Sequence, residues 1–69
     1  MIMVLKATQE QYENLNGYSY NLNYLFFKQD ADDNWIVGED NIDNPNFIAI
    51  KDDLNELERI PYNPKPDIP

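Results

Sequence analysis

Asp30-Ala31-Asp32-Asp33-Asn34 places oxygen donors at alternate positions. Asp30, Asp32 and Asn34 match the first three ligand positions of an EF-hand calcium loop. The match then stops: Trp35 stands where the loop needs a glycine, and Asn41 where it needs a bidentate glutamate. The segment therefore reads as an acidic hairpin turn, with no metal site expected. The carboxylate pairs Glu39/Asp40 and Asp52/Glu56 could move protons in a dry cleft, but neighbours one turn apart on a helix read more simply as a solvated face. Ser19 and Thr8 are the only hydroxyl nucleophiles besides the tyrosines, and the chain has no histidine to activate either. No enzymatic activity and no cofactor are expected.

Aromatic residues offer a second chemistry. Tyr20, Tyr24 and Phe26 alternate as on one face of a strand, an arrangement that can stack single-stranded bases when Lys and Arg surround it. Only Lys28 lies near, so these rings read as core. Leu25 and Phe27 fall on the opposite face and are the candidate apolar patch for a partner or a second copy.

Sixty-nine residues allow one small domain with a thin stability margin. Thirteen acids against five bases give a net charge of −8, which argues against nonspecific contact with nucleic acid or anionic membrane. The absence of cysteine removes disulfides and thiolate zinc sites. Met1-Ile2-Met3-Val4-Leu5 is too short for a signal-peptide core, and no apolar run approaches a membrane span, so a cytoplasmic setting is expected. Acidity is concentrated in residues 30–58, where ten acids against Lys51 alone leave −9. Charges so close together repel, and added salt should stabilise the fold by screening them.

The elements follow from pattern. Residues 1–7 suit a short strand. Thr8-Gln9-Glu10-Gln11 is a capping box, opening a helix that carries Tyr12 and Leu15 and stops at Gly17. Alternation from Tyr18 to Phe27 predicts a half-buried strand with Tyr20, Leu22, Tyr24 and Phe26 inward. A polar turn then leads into the returning strand Trp35-Ile36-Val37. Asn44-Pro45 predicts a helix start, and Phe47, Ile50, Leu54 and Leu57 share its apolar face. Arg59 is placed near that helix's C-terminus and Pro61 after its end. Ile60 and Tyr62 could add an edge strand. The expected fold is α+β: a small split βαβ (ferredoxin-like βαββαβ) sandwich, or a β-hairpin flanked by two helices if a terminal strand fails to form. Residues 1–63 would make the domain and 64–69 a Pro-rich extended tail, with Pro61/Pro64 and Pro66/Pro69 at minimal P-x-x-P spacing.

Asn34-Trp35-Ile36-Val37-Gly38, Asn44-Pro45-Asn46-Phe47, and then Leu54, Leu57, Ile60, Tyr62 and Pro64 form a pattern over about residues 8–64. It resembles short proteins of unassigned function from bacteriophages and Bacteroidota-type bacterial genomes. That resemblance implies a small accessory protein and brings no catalytic residue. The expected function is a non-enzymatic protein-interaction module. Its acidic face (Asp30, Asp32, Asp33, Glu39, Asp40, Asp43, Asp52, Asp53 and Glu56) would bind a basic protein surface by electrostatic steering, as an inhibitor competing with nucleic acid would. The alternative is an assembly component that oligomerises through its aromatic strand.

Overall fold

Leu5 is fully buried at the centre of Met3–Ala7 (β1), and the rest of the fold is arranged around that strand. The computed structural model describes residues 1–66. Along the chain follow Gln9–Leu15 (α1), Ser19–Tyr20 (β2), Asn23–Tyr24 (β3), Lys28–Gln29 (β4), Trp35–Gly38 (β5), two 3-10 turns at Glu39–Asp43 and Pro45–Ile50, Lys51–Asn55 (α2) and Glu58–Pro61 (β6). One antiparallel sheet has the order β4-β5-β1-β6, and β2 and β3 form a separate two-stranded ribbon.

Both β1 and β4 run antiparallel to β5, which lies between them, so β1, α1 and β4 form a split βαβ unit. The same relation holds for β5, α2 and β6 about β1. The α+β expectation is met, and both terminal strands form.

Register sorts the side chains. Leu5 pairs with Val37 and Ala7 with Trp35, presenting one apolar face to α1, α2 and the 3-10 turns. Tyr12 anchors α1 there, stacked on Trp35 at 3.9 Å between ring centroids and edge-on to Phe27. The predicted capping box is present: the Gln11 N–H donates to Thr8 Oγ1 (3.1 Å) and the Thr8 N–H to Gln11 Oε1 (2.8 Å). On the other face Val4 and Ile36 are buried outside this core cluster. The chain end crosses that face. The Tyr62 N–H donates to the Ile2 carbonyl, Lys28 Nζ donates to Tyr62 Oη (2.9 Å), and the Ala31 N–H donates to the Asn63 carbonyl.

The second helix is shorter than the spacing predicts. Asn44 does cap, its Oδ1 accepting from the Asn46 N–H, and Pro45 follows at the first position. The turn is 3-10, however, and the backbone leaves helical geometry at Phe47 and again at Ile50. Phe47, Ile50, Leu54 and Leu57 are nonetheless all buried. Core contact decides those positions; the helical period does not. Arg59 is corrected from a helix terminus to β6, opposite Leu5, where it bridges to Glu39 at 3.2 Å. Of the tail, residues 64–66 are described, and the Pro66/Pro69 spacing lies outside the described residues.

Candidate functional site

Residues 14–27 contain no Asp, Glu, Lys or Arg, although the chain as a whole carries −8. The predicted continuous strand within this stretch is a tight ribbon, because the chain reverses at Asn21-Leu22. Both residues adopt left-handed backbone, with φ of +49° and +67°. Two such residues between paired strands make the hairpin turn whose twist matches its flanks. Asparagine tolerates that region, and its carbonyl accepts from Asn23 Nδ2 at 3.1 Å. Leucine does not tolerate it well, and glycine is the usual occupant.

The base of the ribbon is pinned to α1. The Gly17 N–H donates to the Leu25 carbonyl, the Leu25 N–H to the Tyr18 carbonyl, and the Phe27 N–H to Asn16 Oδ1 at 2.9 Å. Gly17, at φ +83°, allows the chain to leave α1 in this direction. These bonds fix the phase of the segment, and the phase is opposite to the expectation. Leu25 and Phe27, the candidate apolar patch, are buried at 1% and 8% exposure. They are core residues and are withdrawn as a contact surface. Tyr20, Leu22, Tyr24 and Phe26, expected inside, are exposed at 49%, 90%, 54% and 64%. Tyr24 and Phe26 stack on each other at 5.7 Å, while Tyr20 pairs across with Asn23 on the other face of the ribbon. The two-residue turn breaks the alternation: it puts Tyr20 on the face of Asn23 and Leu25 and leaves Tyr24 and Phe26 on the opposite one, so the four residues do not share a face.

Among the acids, Asp30 is corrected first. It is 1% exposed and forms the hub of the β4–β5 turn. Its Oδ1 accepts from the Asp32 and Asn34 N–H groups (2.9 Å each) and its Oδ2 from Asn34 Nδ2 (3.2 Å). Burial alone would push its carboxyl up. The N–H and side-chain amide of Asn34, with the N–H groups of Asp32 and of Asp30 itself, outweigh burial and hold it below the usual carboxylate range. Its oxygens are therefore committed to the turn and not offered to a partner or a cation.

The other acids of the expected face are exposed but lie in three places. Asp32 accepts from Asn63 Nδ2 and Asp33 pairs with Lys65 at 3.2 Å, both beside the turn preceding β5. Glu39, Asp40 and Asp43 follow the opposite end of β5 and share a groove of about 550 Å³ with Lys51, Asn55 and Arg59. Asp53 and Glu56 line a second groove, of about 480 Å³, with Glu10, Gln11 and Asn14 of α1. The fold thus joins the loop acids to two cations and joins part of the α2 acids to Glu10. The hairpin-tip acids stand apart from both. Among the described residues, no three acids converge as a metal cluster, and no helix is long and apolar enough to cross a membrane.

No protein family, curated protein or solved structure matches this chain. The exposed ribbon is the feature that the sequence reading missed. Its signals were the uncharged run in an acidic chain and the Asn-Leu-Asn triplet, which places left-handed-tolerant residues around its apex.

Proposed function

We propose that this chain is a non-catalytic protein-interaction module whose contact element is the β2–β3 ribbon, and that its acids keep the remaining surface soluble. Leu22 carries the reading. A leucine at 90% exposure buries almost nothing, and at φ +67° it also costs backbone energy that glycine would avoid. Among the described residues, nothing offsets either cost. Contact with an uncharged, apolar protein surface would offset both, with Tyr24 and Phe26 adding a stacked aromatic anchor of the kind that dominates binding energies.

The test is site-specific photocrosslinking in cells expressing the full chain, with the photoreactive residue at Leu22, Asp40 or Asp53 in turn. Protein adducts at Leu22 that disappear in a Tyr24→Ser/Phe26→Ser background are the expected result. Adducts formed only from Asp40 or Asp53 would return the contact to the acidic half and overturn the reading.

A further inference from the structure

Among the described residues the ribbon has two strands and no third, an arrangement that is marginal in water by itself. Leu25 donates inward to Tyr18. By the alternation of an antiparallel strand, its neighbours Tyr24 and Phe26 turn their N–H and C=O groups outward from β2. The outer edge of the extended segment from β3 to Phe26 is therefore, among the described residues, a short row of free backbone groups beside two exposed stacked rings, a template for another strand. We infer that the occupant of this edge is a second copy of the chain, paired antiparallel through Tyr24–Phe26, the end of β3 and the residues after it, about a two-fold axis at Leu25, with Tyr24 of each copy opposite Phe26 of the other. This deepens the proposed function by naming its partner and rests on the ribbon being the contact element.

Two observations favour a second copy. The first is charge. Two molecules at −8 repel over most of their surfaces, but residues 14–27 carry no charge, so ribbons can meet with the acidic segments held away from the contact. The second is area. Aromatic side chains cover about 150–250 Å² each, so at their observed exposures Tyr24 and Phe26 offer about 250 Å² per copy beside the paired edge. Two copies would bury about 500 Å² from these rings, with Leu22 and the edge backbone adding to it, which is the size of a weak, reversible contact. The two-fold pairing is self-complementary and closes at two copies, because each β3 edge is consumed.

Sedimentation equilibrium of the full chain, from low micromolar to about 100 µM, tests this in the range where a small interface half-associates. A reversible monomer–dimer equilibrium that tightens as salt is raised is expected, because screening relieves repulsion between like-charged copies. Tyr24→Ser/Phe26→Ser should weaken dimerisation at least about tenfold. Ile48→Ser, which changes an exposed apolar residue outside the ribbon, should leave it unchanged. All these positions are exposed, and circular dichroism confirms that each variant is folded. The register is read from a spin label on Asn21→Cys in this cysteine-free chain. The two labels should sit more than about 20 Å apart, on far sides of the axis. A monomer throughout the range overturns the inference, as does a dimer indifferent to the double variant or labels within about 10 Å. A purified monomer whose Leu22 crosslinks to a different protein in cells would overturn self-pairing while leaving the ribbon as the contact element.

Discussion

The β2–β3 and β4–β5 hairpins lie within twenty residues of each other and are built on opposite terms. In β4–β5 the turn is polar, and its central acid, Asp30, is buried with its oxygens satisfied by Asp32 and Asn34. Its strands join the main sheet, and the chain end closes over the turn through the Ala31–Asn63 hydrogen bond. In β2–β3 the turn exposes a leucine, the strands join nothing else, and the rings face solvent. One hairpin spends its residues on stability within the monomer. The other leaves apolar surface and edge hydrogen-bonding groups for something outside it. That difference, and not the charge pattern, is the ground for proposing the ribbon as the contact element.

The comparison can be broken hardest at its inner side. Leu25→Ala should cost about 2–5 kcal/mol in urea unfolding, because Leu25 is buried in the core that holds the ribbon's base. Leu22→Ser and Phe26→Ser, on the ribbon's outer side, should stay within about 0.5 kcal/mol. Equal costs on the two sides would place the ribbon inside the core and contradict its exposure.

A second test removes strain. Leu22→Gly should stabilise the monomer by about 1 kcal/mol, since glycine adopts φ near +67° without the leucine's steric penalty, and should weaken association at the same time. Opposite signs in the two measurements are the signature of a residue retained for contact. If stability falls on this substitution, Leu22 has a structural role that its exposure conceals.

On the other hairpin, Asp30→Asn should lower stability and flatten its acid dependence. A carboxyl held below its unfolded value contributes stability above about pH 3.9, and that contribution is lost as pH falls through the lower folded value. Comparing unfolding of the two proteins between about pH 6 and pH 2 reads this, with the gap between them closing at the acid end. Lys65→Ala should have the smallest effect, within about 0.5 kcal/mol, because its pairing with Asp33 is exposed on both sides.

Local chemistry made much of the fold legible. The Thr8/Gln11 box, the Asn44-Pro45 start and the polar β4–β5 turn each need only neighbouring residues, and each stands where the sequence placed it. The four apolar positions after Pro45 were also correctly buried, although a helical period was credited for what packing under the sheet accomplishes. What failed was phase. Alternation between Tyr18 and Phe27 defines two faces without saying which is inside. The choice depends on the Asn16–Phe27 and Gly17–Leu25 hydrogen bonds, which are tertiary. Asn21-Leu22 gave little warning, because such turns are usually recognised by a glycine that this one lacks. Asp30 was misplaced for a related reason: in sequence it is indistinguishable from Asp32 and Asp33, and only the turn selects it for burial.

The central claim, that contact belongs to the ribbon and not to the acids, is tested most directly by following backbone amide resonances of the full chain as it is diluted. The account predicts shifts confined to Ser19–Phe26, with residues 39–56 unmoved. Shifts that track Glu39, Asp40, Asp53 and Glu56 instead would contradict it, whereas resonances that do not move anywhere would overturn self-pairing alone.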